Sequence, residues 1–558
     1  MKIFYKIGIV LLVNLFYFLS VKASDFEVDG IAYNIISNSE AEVTSRYGIN
    51  SYAGSVVIPE MVNYQNSEYT VTKIGDNAFS WCSELTEVTL PNSLISIGER
   101  AFMICEALSK IDLPNSLTYI GPEAFYSTGL INIKIPENVS FLGDLIFQYC
   151  DYLESIEVDS NNQSYASKDE ILYNKDFSLL ICCPSALSKK NLTLPTSVVE
   201  IKEYAFSRCW DIESLTLPNS LIKIGNSAFI SSGFKNVNIP NSVKEIGDMA
   251  FCYSYLETIE IPASVMEIGF GAFSSCKSLN SIKVDSQNPN FSSLNGILYD
   301  KDYTLLISCP ATKTEVTVPE SVKEIGNYAF TNCPLAEIVL PVSVTKIGDE
   351  AFYGCQLLSN VILSDSLQTI GEGAFNYCAF SNINIPESVR EIGMGAFAYC
   401  YYLEKIVIPD YVEIIDMGTF QWCYSLKETV IGKSIKQIDT YAFSGCPALK
   451  QMTSLSTNPP VWDGYFFEFD FDFPNSVLYV PEESLDDYRV STPWNYFGQI
   501  IGMDAGIDKI KDNETANFKV YDLKGEKILE TKDQSQLRNL PKGIYIIVSG
   551  KEKYKISM

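Results

Sequence analysis

Residues 97–117 read Ile97-Gly98-Glu99-Arg100-Ala101-Phe102-Met103-Ile104-Cys105-Glu106-Ala107-Leu108-Ser109-Lys110-Ile111-Asp112-Leu113-Pro114-Asn115-Ser116-Leu117, and this phrase returns with small variations fourteen times between Ile74 and Phe443. Phenylalanine fixes its register: Phe79, Phe102, Phe125 and Phe147, then Phe206, Phe229, Phe251 and Phe273, then Phe330, Phe352, Phe375, Phe397, Phe420 and Phe443. Within each run the step is 22 or 23 residues. A constant period of this size means one supersecondary unit stacked on copies of itself, because a single unit cannot bury its own apolar face.

Inside each unit the stretch Leu85-x-x-Val88-x-Leu90-Pro91 alternates apolar and polar residues, which predicts a short half-buried strand. Pro91, Pro114, Pro136 and later equivalents close the strand where a missing N–H costs least. The return half, Ile97-Gly98-x-x-Ala101-Phe102, is too short for a regular helix, so turns and short irregular or 3₁₀ structure are expected, with glycine permitting a bend. The fold class that follows is a leucine-rich repeat solenoid, β-rich, with parallel strands stacked about 4.8 Å apart. About seventeen such coils predict a curved rod roughly 80 Å long.

Two oversized units match each other. One runs from Val158-Asp159 through Ile171-Leu172-Tyr173-Asn174-Lys175-Asp176 to Cys182-Cys183-Pro184, the other from Val284-Asp285 through Ile297-Leu298-Tyr299-Asp300-Lys301-Asp302 to Ser308-Cys309-Pro310. Two apolar runs about an Asn/Asp-Lys-Asp turn predict a β-hairpin that projects from the rod. The domain plan is a cleavable signal at 1–23, an N-terminal cap and first coil at 24–73, and the solenoid at 74–450 with hairpin-bearing coils at about 159–191 and 285–315. A C-terminal cap at 451–505 and a small β-sandwich at 506–558 complete it.

The signal reading rests on Lys2 and Lys6, a short apolar core interrupted by Asn14, and Val21-Lys22-Ala23 before Ser24. No later segment is long and apolar enough to span a bilayer. Loss of Lys2, Lys6 and Lys22 leaves the mature chain three charges more acidic than the −27 of the whole. That surface repels phosphate backbones, which argues against nucleic-acid partners.

Eleven of the fifteen cysteines stand three residues after a repeat phenylalanine, a place held elsewhere by Thr128, Ser232 and Ser254. A position accepting Cys, Ser or Thr is a small buried slot, so the expectation is mostly buried thiols. The chain contains no histidine, which removes Ser-His-Asp and Cys-His nucleophile systems and imidazole zinc sites. Gly269-Phe270-Gly271, Gly371-Glu372-Gly373 and Gly393-Met394-Gly395 lack the third glycine of a phosphate loop and fill the Ile-Gly-x-x-Ala-Phe slot. The run Glu468-Phe469-Asp470-Phe471-Asp472-Phe473 reads as an alternating strand rather than a calcium site. No catalytic, cofactor-binding or metal residues are assigned, and no cofactor is expected.

Surface is then the expected carrier of function. The outward strand residue is polar or charged through most early coils and becomes Val339, Ile362, Asn384, Val407 and Val430 in the later ones. Contiguous exposed apolar area marks partner sites or self-association. Two competing readings stand beside it: β-branched residues simply suit strands, and a terminal segment folds over the stripe.

At the ends, Val56-Val57-Ile58-Pro59 predicts a first strand followed by an irregular loop at 63–69. At the other end aromatic residues over 462–473, then Val477-Leu478-Tyr479-Val480-Pro481, Tyr488 and Trp494 are expected to plug the last coil. Residues 506–558 hold more basic than acidic side chains and four predicted short strands, at 518–523, 527–529, 543–548 and 554–557.

The Ile-Gly-x-x-Ala-Phe-x-x-Cys unit, the Ile-Leu-Tyr-x-Lys-Asp islands and the Tyr479-Val480-Pro481 to Trp494 cap resemble BspA-like leucine-rich repeat proteins of bacterial cell surfaces, over roughly residues 50 to 503. The resemblance implies a non-enzymatic secreted or surface adhesin that engages extracellular protein or glycan. A structural spacer or self-assembling surface-layer component is the alternative. The tail, with Val520-Tyr521-Asp522-Leu523-Lys524-Gly525 and Leu540-Pro541-Lys542-Gly543-Ile544-Tyr545-Ile546, resembles type IX secretion sorting domains. It ends Lys555-Ile556-Ser557-Met558 rather than in the basic residue common there.

Overall fold

In the computed structural model the repeat phrase closes into one coil after another, successive coils within each unit bonded along their backbones. The structure describes residues 24–46, 52–463, 473–503 and most of 518–557. The predicted signal at 1–23, most of the acidic-aromatic run at 468–473 and the expected boundary near 505 lie outside the described residues. The chain divides into two units, 1–290 and 291–558.

In the first unit the expected strand is present in coil after coil. Leu85–Thr89 pairs in parallel with Gly54–Val57 before it and Lys110–Ile111 after it. Asn132–Ile135 pairs with Ser155–Val158, and a five-stranded parallel run follows from Asn191–Thr193 to Ser281–Val284. The register is exact in chemical kind, apolar on apolar: Leu192 faces Leu215 and Leu215 faces Val237.

The return half differs from expectation. It carries a second parallel ladder of two-residue strands, Ser96–Ile97, Tyr119–Ile120 and Phe141–Leu142, while the rest of it is the expected turns. Glycine follows each of these strands because of close approach, not bending. A Cβ on Gly98 would stand 2.7 Å from the Asp76 backbone nitrogen of the preceding coil, so any side chain would push the coils apart. Its N–H meanwhile donates to Ile74 O at 2.8 Å.

The turn around Ala-Phe is built from two left-handed residues per coil, such as Asn77 (φ 58°) and Trp81 (φ 64°). This explains the Gly-x-Gly triplets: Gly271, Gly373 and Gly395 take the first of these left-handed positions, where glycine costs nothing sterically. Between them the Phe N–H of one coil donates to the Ala carbonyl of the next, as in Phe79 to Ala101 and Phe102 to Ala124, each at 2.8 Å.

The phenylalanines line up as the period requires. Phe79, Phe102, Phe125 and Phe147 stack with centroids 5.1, 5.5 and 5.9 Å apart. Phe206, Phe229, Phe251 and Phe273 form a second file. In the second unit Phe330 to Phe443 form a file of six, nearly parallel throughout. Each ring is buried, and each neighbouring pair adds roughly 0.5–1.5 kcal/mol beyond its burial.

The long coils are more deeply built in than a projecting hairpin. Tyr165–Lys168, Ile171–Asn174 and Leu179–Cys182 form an antiparallel meander whose last strand pairs in parallel with Glu200–Ile201 and so restarts the short ladder. Ile171, Leu172 and Tyr173 are core residues. Asn162, fully buried, pins the insertion. Its amide donates to Pro136 O and Val139 O, and its Oδ1 accepts from Ser164 N and Tyr165 N. The second unit repeats the meander with Phe291–Leu294, Ile297–Asp300 and Leu305–Ser308, the last pairing with Glu324–Ile325.

The expected irregular loop at 63–69 is a tight hairpin. Met61–Tyr64 pairs with Ser67–Ile74 across Gln65 and Asn66, both left-handed, the conformation a two-residue hairpin turn demands. At the far end Val477–Pro481 joins the strand ladder between Gln451–Ser454 and Gln499–Met503. Tyr488 and Trp494 are fully buried beneath it, with the indole N–H donating to Pro460 O.

The tail's described residues make one antiparallel sheet of Lys527–Thr531, Phe518–Tyr521, Ile544–Ser549 and Glu552–Ser557 about a small core. A second layer, as a sandwich requires, is not among them. Among the described residues no helix is long and apolar enough to cross a membrane.

Candidate binding surface

Cysteine, the most reactive residue type here, is sealed into the core at every position but Cys182, which is half-buried. The thiols of Cys105, Cys150, Cys355, Cys400 and Cys446 each donate to the carbonyl of the phenylalanine one coil earlier, at 3.0–3.2 Å. Where a hydroxyl replaces the thiol, Ser232 and Thr128 donate within their own coil, to Phe229 O at 2.7 Å and Phe125 O at 3.1 Å, while Ser254 meets the Cys276 thiol of the next coil at 3.4 Å. Burial pushes the Cys150 thiol up to about 11 and Cys276 and Cys400 to about 12. A thiolate is therefore scarce at neutral pH, and these sulfurs pack rather than react.

The strand face carries the expected stripe in part. Val339 and Ile362 are register partners on adjacent strands, Glu337–Val339 and Asn360–Ile362, and both stand more than half exposed. Asn384 is exposed but lies outside a regular strand, so it interrupts the column. Val407 is exposed at the end of Lys405–Val407.

Val430 is a correction: it is 2% exposed. It pairs with Val407 on one side and Thr453 on the other, and Thr453 pairs with Tyr479. Thr453 is buried as well, so the end of the array where the cap strand joins is shut from water and the open stripe stops at Val407.

Two surfaces went unread in the sequence. In the first unit a groove of about 600 Å³ opens on the strand face where the ladder breaks between Lys110–Ile111 and Asn132–Ile135. Both of its lysines are paired, Lys110 with Asp112 at 3.0 Å and Lys134 with Asp159 at 3.2 Å, and Glu157 lines it as well. A backbone hydrogen bond from Asn161, then Lys134, holds the Asp159 carboxyl below its ordinary range.

The second lies on the turn side of the second unit, where aromatic rings touch across four coils. Tyr353 meets Tyr377 edge-on at 5.8 Å, Tyr377 stacks on Tyr399 at 4.6 Å, and Tyr401 stacks on Tyr424 at 5.4 Å. Tyr377 and Tyr399 both contact Tyr401, and Trp422 contacts Tyr424, closing the strip. Tyr401, Tyr402 and Tyr424 are 38%, 62% and 47% exposed.

The signal for this strip was a missing charge. From each column phenylalanine to the next apolar strand residue, segments 330–335, 352–358, 375–380, 397–403, 420–426 and 443–449 contain no Asp, Glu, Lys or Arg. Of the eight equivalent turns of the first unit, five carry charge, as Glu84, Glu106, Asp151, Arg208 with Asp211, and Lys277, and those at 125–130, 229–234 and 251–256 do not; the second unit differs in having six uncharged turns in succession.

Stacked parallel strands, a single file of rings per run and open faces on both sides define a leucine-rich repeat solenoid. More particularly, the chain belongs to the BspA type leucine-rich repeat family: the BspA type Leucine rich repeat region matches residues 61–174, 182–295 and 323–450 in six copies. Among solved structures it is similar to a leucine rich cell surface protein from Faecalibacterium prausnitzii, at 23% identity over 78% of this chain and 96% of that one, TM-score 0.36. A leucine-rich repeat protein from Bacteroides ovatus is 26% identical over 77% and 94%, TM-score 0.36. The pneumococcal vaccine antigen PcpA is 19% identical over 87% and 100%, TM-score 0.32. No curated protein matches the chain.

Proposed function

We propose that this chain is a non-enzymatic secreted or cell-surface binding protein of the BspA type, an adhesin engaging extracellular protein or glycan through the open surface of its coils. The observation that carries the reading is the division of labour within each coil. Phenylalanine and cysteine are consumed by the core, while the strand and turn faces repeat from coil to coil as broad exposed columns. Repetition of this kind supplies contact area rather than a reacting centre. The secretory layout of residues 1–23 and the sorting-like tail support export to the surface.

The test is an array of extracellular matrix proteins and glycans probed with the purified mature chain. Saturable binding to at least one ligand is expected. Ordered self-assembly with no ligand retained would replace this reading with a structural spacer.

A further inference from the structure

We propose that the uncharged aromatic strip of the second unit, centred on Tyr401, Tyr402 and Tyr424, is a binding surface for a neutral polysaccharide. The inference deepens the surface-binding reading above and rests on it. The first support is composition in place. In a chain with 20% charged residues, six consecutive turns on one side of the coils carry no charge at all, and four of them bring tyrosine and tryptophan rings into contact.

The second is what such a surface solvates well. Half-exposed phenol rings offer apolar surface and a hydroxyl within one rigid side chain, a combination that costs little conformational entropy on binding. An uncharged sugar chain presents the same mixture, C–H faces and hydroxyls. A polyanion or a basic peptide docked here would lose hydration with no opposite charge to receive it.

The third is register. Contacts recur from coil to coil, at about the 4.8 Å rise of stacked strands, so a polymer of repeating units meets the same chemistry at each step. The strand-face stripe of Val339, Ile362 and Val407 is aliphatic and lacks hydroxyls, which suits it less well to this partner.

The experiment uses the full chain in affinity electrophoresis and titration calorimetry against soluble mixed-linkage β-glucan, mannan and arabinoxylan, with hyaluronan and a choline conjugate as charged probes. Retention by at least one neutral polymer and by neither charged probe is expected. The Tyr401→Ala/Tyr424→Ala double variant should weaken that binding at least tenfold, and Ile362→Asp/Val407→Asp should leave it unchanged. Tyr402→Ser, the most exposed of the three sites, keeps the test open if the double variant folds poorly, and a several-fold loss is expected of it.

No retention by any neutral polymer, preference for a charged probe, or unchanged binding in the folded tyrosine variants would overturn the assignment. A protein ligand from the array whose binding survives the tyrosine substitutions would sink the strip while leaving the surface-binding function standing.

Discussion

A buried thiol in this chain is held by two neighbours at once, the carbonyl of the previous coil and the apolar wall around it, and both effects have measurable consequences. Because folding raises Cys150 to about 11 and Cys276 and Cys400 to about 12, from an ordinary value near 9, the native state keeps protons that the unfolded chain releases. The stabilisation is fully present below about pH 9 and is lost as pH rises through 11 to 12. Each such thiol contributes at most about 1.4 kcal/mol per pH unit within that window. Urea midpoints should therefore hold steady from pH 7 to 9 and fall steeply above it; a flat profile to pH 11 contradicts the burial described. Asn162 makes a second test. Asn162→Asp sets a carboxylate against the carbonyls of Pro136 and Val139 and should cost about 3 kcal/mol or more, read as a lowered melting temperature. The thiol column was legible because Cys, Ser and Thr alternate at one fixed offset from phenylalanine. Asn162 was not, since its four hydrogen bonds depend on an insertion whose path no local pattern encodes.

At the scale of the element, the phenylalanine file is the feature whose loss is best defined. Phe375 is fully buried and stacks on Phe352 and Phe397, so Phe375→Ala should destabilise by about 3–5 kcal/mol in denaturant titration. The one-per-coil strand and the ring file were readable because they recur at a constant interval. The short ladder was not, because two residues such as Ser96 and Ile97 are too few to show alternation, and only the neighbouring coil makes them a strand. The Gln65-Asn66 hairpin escaped for a related reason: neither residue is the glycine that usually announces such a turn.

For the molecule, function is a question of which face meets a partner. Ile362→Asp/Val407→Asp replaces exposed side chains, so the melting temperature should stay within about 2 °C of the parent while any partner docked on the strand face is lost. The stripe was half legible: alternation marked outward residues correctly at Val339, Ile362 and Val407, but Val430 is buried together with its register partner Thr453, which the alternation within its own strand does not announce. The aromatic strip was written in the sequence as an absence of charge, a signal visible only once turns are aligned coil by coil. In a stack of this kind each coil leans chiefly on its immediate neighbours. Hydrogen–deuterium exchange of Phe375→Ala beside the parent tests that most directly. Exchange should quicken in the coils of Phe352, Phe375 and Phe397 and fade toward the coil of Phe443; a uniform rise across the second unit, or none at the flanking coils, would contradict it.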